Sequence, residues 1–200
     1  LLVDVDLREK AVPVSEEAVR FHGELVELHR DAYLPELATS LTQVGRREEA
    51  VPVSERALRL RTGLVELNRE AHLPDLAKSL NNHALLLAEM GRLEAAVSVA
   101  GQAVKLFGEL AERNRDAYLY AFMRSLGVQG SALTRARRYG EAVAPLVRAL
   151  SLGGDLPGHE RDILGAVGTI LHEGYRASPD EVDKAFESLT GFSIREWFPE

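Results

Sequence analysis

With 46% hydrophobic and 28% charged side chains over 200 residues, the chain has a folding composition, not a disordered one. A formal net charge of −7 argues against nucleic acid as a direct partner, because phosphate binding rests on clustered Lys and Arg. The absence of cysteine excludes disulfides and thiolate metal sites, and the longest apolar run, Ala84-Leu85-Leu86-Leu87-Ala88, is too short to cross a bilayer.

Four related blocks recur along the chain: Ala11-Val12-Pro13-Val14-Ser15, Ala50-Val51-Pro52-Val53-Ser54, Ala96-Val97-Ser98-Val99-Ala100 and Ala142-Val143-Ala144-Pro145-Leu146. The steps between them are 39, 46 and 46 residues. A second alanine follows each start by seven residues, at Ala18, Ala57, Ala103 and Ala149. The motif Ala32-Tyr33-Leu34-Pro35 returns as Ala71-His72-Leu73-Pro74 and Ala117-Tyr118-Leu119-Tyr120 at the same steps. Self-similarity at such a period predicts stacked units, none able to bury its apolar face alone.

Taken in chain order, the spacing predicts helices over 8–30, 35–45, 47–69, 75–90, 92–114, 119–136 and 139–152. Leu80, His83, Ala84 and Leu87 form an i, i+3, i+4, i+7 stripe that stops at Gly91. The next helix carries Ala96, Ala100, Ala103, Leu106 and Leu110 on one face, where the small residues let a neighbour approach closely. Each unit is therefore a helix hairpin. Pro35 to Gly45 spans ten residues where Pro74 to Gly91 spans seventeen, so the helix near 35–45 is nearly two turns short. Pro13, Pro52 and Pro145 fall beyond the first turn of their helices, which predicts a kink or a late helix start. Gly153-Gly154-Asp155-Leu156-Pro157-Gly158 breaks the pattern before a helix near 159–176. Ser178, Pro179 and Glu181 then supply an N-cap, a first-turn proline and a capping box for a helix that ends at Gly191. Ser193 to Glu196 repeats that capping logic for a last turn holding Trp197 and Phe198.

The run Leu126, Gln129, Gly130, Leu133, Tyr139, Ala142, Leu146, Ala149 resembles the tetratricopeptide repeat (TPR) pattern. Leu80, His83, Ala84, Leu87, Gly91, Leu93, Ala96, Ala100 and Ala103 fit the same frame, and Leu164, Val167, Gly168 and Leu171 fit its first half. The 46-residue step exceeds the usual 34 by twelve residues, about 18 Å of helix. The chain thus resembles the long-helix, kinesin-light-chain-like subtype also found in bacterial multidomain signalling proteins. The fold this implies is all-α: a right-handed superhelical solenoid of antiparallel helix hairpins. Residues 1–177 form the array, with units beginning near 8, 47, 92 and 139, and residues 178–200 form a C-terminal cap.

No residue pattern points to catalysis. His22 and His29 are two turns apart, about 10 Å, with Leu25 and Val26 between them, which is too far for one metal ion. His83 reads as a hydrogen-bonded core histidine. Arg135, Arg137 and Arg138 read as complements to a helix C-terminus. The carboxylates sit in first turns or on solvent faces, and the glycine-rich break follows a helix rather than a strand, so it is no phosphate cradle. Neither a cofactor nor a metal is expected.

In TPR arrays the first helix of each pair faces the concave groove, and that resemblance assigns partner binding to Lys78, Asn81, Asn82 and Leu85 and, one unit on, to Arg124, Gly127, Val128 and Ser131. Lys78, Asn82 and Arg124 resemble part of a carboxylate clamp, with Leu85 and Ser131 replacing the asparagine such a clamp carries. The expected function is a non-enzymatic scaffold that binds a protein or peptide, the interaction or sensor part of a larger bacterial signalling protein. A peptide-sensing array of a DNA-binding transcription regulator is the alternative, and a solenoid enzyme ranks third. With no signal-peptide pattern, the expected location is cytoplasmic, without membrane contact. The chain opens at Leu1 rather than Met, which suggests a fragment or a trimmed N-terminus. The helix near 8–30 offers Ala11, Ala18, Phe21, Leu25 and Leu28 with no first helix before it, so self-association through it, as a homodimer, is expected.

Overall fold

The computed structural model describes residues 16–27, 33–43, 45–155 and 162–196. All regular structure among them is helical: α1 over 16–27, then α2 (Leu34–Gln43), α3 (Arg47–Leu67), α4 (Arg69–Glu89), α5 (Leu93–Arg113), α6 (Arg115–Arg135), α7 (Tyr139–Leu152), α8 (Asp162–Ala177) and α9 (Pro179–Thr190). Short 3₁₀ turns occupy Gly153–Asp155 and Ile194–Glu196. The chain forms two compact units, Leu1–Leu86 and Leu87–Glu200.

The first helix of each hairpin ends by one mechanism. Gly45 and Gly91 take the left-handed conformation, with φ of 81° and 73°, which costs glycine nothing because it has no Cβ. Arg137 takes the same position with φ of 60°. The next amide then reaches back to the fifth residue before it: Arg46 N–H to Leu41 O at 2.8 Å, Arg92 to Leu87 and Arg138 to Leu133, both at 2.9 Å. Gly45, Gly91 and Arg137 complete the Schellman pattern by donating to Thr42, Ala88 and Thr134.

The return from second to first helix is tighter still. A single residue separates α3 from α4 and α5 from α6: Asn68 and Asn114, with φ near extended at −148° and −146°. Each amide closes the helix behind, onto Leu64 O or Leu110 O at 2.9 Å. Each side-chain oxygen accepts from the helix ahead, Ala71 N–H and Ala117 N–H, both at 3.2 Å. These caps start α4 at Arg69 and α6 at Arg115, not near 75 and 119, and Pro74 lies inside α4.

Helix also runs unbroken from Arg47 and Tyr139 through Pro52 and Pro145, so neither helix starts late. The carbonyls these prolines cannot serve belong to Glu48 and Glu141, exposed residues where water can bond them. Pro13 lies outside the described residues. The capping box at Ser178 is also rearranged. The Ser178 N–H goes back to Gly174 O at 3.0 Å, and Glu181 instead accepts from Ser178 Oγ on one oxygen and from Gly140 N–H of α7, at 2.8 Å, on the other. The two carboxylate oxygens thereby tie α9 to the N-terminus of α7, where the helix dipole favours negative charge.

Recurring alanines fill the inner faces: Ala50 and Ala57 in the first unit, and Ala96, Ala100, Ala103, Ala142 and Ala149 in the second, all essentially buried. At Gly130 the approach is closer yet, since a Cβ there would collide with Leu146 of α7. In the second unit α5 packs on α6, α6 on α7 and α8, and α9 on α7 and α8. Arg138 threads this stack electrostatically, bidentate to Glu141 at 2.7 Å and reaching Glu94 of α5 at 3.0 Å. Arg46 holds Glu49 in the same way and reaches Glu16 of α1 at 3.5 Å. No described helix is long and apolar enough to cross a membrane.

Candidate functional site

Lys78, Asn82 and Leu85 share one face of α4, at i, i+4 and i+7. Lys78 is exposed, Leu85 is 45% exposed and Asn82 is half-buried. The corresponding stripe of α6 holds Arg124, Val128 and Ser131, with Arg124 exposed and the other two half-buried. Two expected members of these faces point elsewhere. Asn81 is only 1% exposed and its amide makes no hydrogen bond among the described residues. Gly127 is buried, with space for a Cβ limited by Val167 at 3.3 Å. One residue of offset is about 100° of helix rotation, enough to carry position 81 from the exposed stripe into the packed side.

In the first unit a small cleft, about 20 Å3, opens between α2, α3 and α4. Pro35, Ala38, Thr39 and Thr42 line it from α2, Ser54 and Ala57 from α3, and Ser79, Asn82 and Leu86 from α4. Of the expected binding residues it gathers only Asn82.

A polar position recurs along the first helices of both units. Ser40, Ser79 and Ser125 are buried serines at the same steps of 39 and 46 residues as the alanine blocks. The facing position of the preceding second helix is His22, Arg61 and Phe107 in turn. His22 Nδ1 lies 3.0 Å from Ser40 Oγ, and Arg61 Nη1 donates to Ser79 Oγ and, at 2.9 Å, to Asp75 O. Where Phe107 takes the place, Ser125 falls back on the carbonyl of Phe122 at 2.8 Å. His83, a buried core histidine as expected, has Nδ1 3.0 Å from Ser54 Oγ. Arg61 and the serines carry no motif of their own; their signal is the repeat of Leu34-Pro35-Glu36-Leu37-Ala38-Thr39-Ser40 as Leu73-Pro74-Asp75-Leu76-Ala77-Lys78-Ser79, with the serine five residues past the proline.

The second unit carries an apolar groove of about 290 Å3 between α7 and α9, lined by Val147, Leu150, Ser151, Phe186, Thr190 and Phe192. Arg135, in the last turn of α6, donates to Ala88 O at 2.8 Å and so satisfies a carbonyl at the end of α4, while Arg138 pairs with Glu141 and Glu94 instead of a helix C-terminus. No group of three or more His, Asp or Glu among the described residues is close enough to hold a metal ion.

No protein-family model matches the sequence, and no curated protein is detectably similar to it. Its fold, by contrast, is that of solved repeat proteins. A Podosopora anserina protein described as a kinesin light chain with nearly identical TPR-like repeats superposes with a TM-score of 0.68 at 19% identity, over 97% of this chain and 93% of that one. A second structure of that description gives 0.67 at 18% identity, over 98% and 95%. The chain has the all-α TPR-like repeat fold.

Proposed function

We propose that the chain is a non-catalytic module that binds a protein or peptide, and that it serves as the interaction or sensor part of a larger bacterial signalling protein. One observation carries the reading: exposed basic residues, Lys78 and Arg124, stand at equivalent positions of two first helices and head a stripe that the core does not use. A repeat fold distributes its core over many small contacts and leaves whole helix faces for recognition, which suits binding better than catalysis. On this reading residues 178–200 cap the array. Asp183 supports that role by gathering Ser193 Oγ at 2.7 Å, Ile194 N–H at 2.9 Å and Arg195 Nε at 3.0 Å, so the final turn folds back on α9.

A Lys78→Ala/Arg124→Ala double variant tests the assignment. Exposed substitutions of this kind shift stability by no more than about 0.5 kcal/mol each, so the variant should melt like the parent yet lose a peptide selected on the parent from a random display library. Undiminished affinity would remove these stripes from the binding surface.

The module also self-associates through α1 on this reading. Phe21 is 56% exposed there, beside Glu17, Arg20 and Glu24. Burying such a ring in a second copy would contribute roughly 1.5–3 kcal/mol. Light scattering over a concentration series should show dimers that Phe21→Lys abolishes; a parent that stays monomeric at high concentration would end the idea.

A further inference from the structure

We infer that the cleft beneath α2 is an oxyanion subsite, which takes one carboxylate or phosphoryl oxygen of a bound peptide on Ser79 and Asn82 in the field of Arg61. The inference rests on the peptide-binding reading above and adds to it a ligand chemistry and a place.

The charge comes first. Arg61 is half-buried, and among the described residues it meets no carboxylate; its hydrogen bonds there run from Nη1 to Ser79 Oγ and Asp75 O. A guanidinium partly withdrawn from water and not neutralised by a neighbour acts over several ångströms with less screening than a surface charge. Lys78, adjacent to Ser79 in sequence, adds a second cation with no ion pair among the described residues.

The hydrogen-bonding polarity of the walls agrees. Ser79 Oγ accepts from Arg61, which leaves its own O–H to donate, and Ser79 lines the cleft. Asn82 lines it as well and brings two amide N–H donors. On the opposite wall Thr39 and Thr42 spend their hydroxyl protons on Pro35 O and Ala38 O, both at 2.8 Å, so the donors come from the α4 wall. No lining residue is acidic. A volume of about 20 Å3 is close to one water-sized sphere, so the site admits the tip of an anion and not a ring or a chain.

The second unit shows why the site belongs to the first. Phe107 replaces the arginine there, and Ser125 turns back to a backbone carbonyl, which removes both charge and donor.

Titration of the ¹⁵N-labelled 200-residue chain with acetate and with inorganic phosphate, against chloride at equal ionic strength, tests the inference. Saturable shifts at the Ser79 and Asn82 amides are expected with at least one oxyanion, weakened at least tenfold in Arg61→Gln and in Asn82→Ala. Tighter acetate binding assigns a carboxylate, tighter phosphate binding a phosphoryl group. Shifts that chloride reproduces, or that persist unchanged in a folded Arg61→Gln chain, overturn the subsite. Should Arg61→Gln fail to fold, Arg61→Lys and Ser79→Ala give the same reading. A peptide that needs Lys78 and Arg124 but is indifferent to Arg61→Gln would leave the groove standing and the subsite refuted.

Discussion

Arg137 is the residue that departs most from its counterparts. Gly45 and Gly91 fill the left-handed turn at the ends of α2 and α4, but after α6 a β-carbon is forced into that region at φ 60°. The cost for an L-residue is about 1–2 kcal/mol, and the Schellman bonds of Arg137 and Arg138 hold it there. Arg137→Gly should therefore stabilise the chain by about 1 kcal/mol, somewhat offset by the greater freedom of glycine when unfolded. Urea unfolding would read this as a higher midpoint at unchanged slope; a lower midpoint would mean that the arginine side chain holds the turn by contacts that outweigh the strain. Asn81 makes the complementary point. Its neighbour Asn82 reaches the cleft and Asn81 does not, a difference set by helix rotation that residue type alone does not reveal.

At the scale of elements, helix ends carry most of the specificity. Asn68 and Asn114 each close one helix and open the next, so two 21-residue helices follow each other with one residue between them. The signal was present as Asn68-Arg69-Glu70-Ala71 and Asn114-Arg115-Asp116-Ala117, an N-cap residue followed by an acidic first turn. The Leu-Pro motif marks no helix start, since Pro74 is interior to α4. The final turn, held on α9 by Asp183, is the element whose stability should follow pH. The Asp183 carboxyl is held below its ordinary value of 3.8 chiefly by the Ser193 hydroxyl, then by Ile194 N–H and the Arg195 charge. A depressed folded-state pKa contributes stability that is present above the unfolded value and lost as pH falls through the folded one. Amide exchange at Ile194 should accordingly be slow at pH 5 and accelerate, beyond the intrinsic rate change, on acidification below about pH 4. Asp183→Asn should remove that added acid sensitivity; an identical pH profile in the variant would show that another group is responsible.

At the scale of the whole chain, repetition sets the backbone, and the proposed subsite lies where the repeats deviate. Buried alanines recur in both units, and so do the arginines at 46 and 138 with their glutamate partners. Arg61 facing Ser79, and the brevity of α2, occur where the repeats differ.

The sequence by itself determined the helical hairpins, their 39- and 46-residue steps, the buried alanine faces and the shortened second helix. These are local or periodic properties, and 3.6-residue spacing together with glycine stops encodes them directly. Only the tertiary structure decided that Glu181 caps α7 rather than its own helix, that Asn81 is buried beside a half-exposed Asn82, and that Arg61 meets Ser79 eighteen residues away. Each of those depends on where a neighbouring helix lies across the packing face. That position follows from the summed fit of many side chains, which no single stretch of sequence contains.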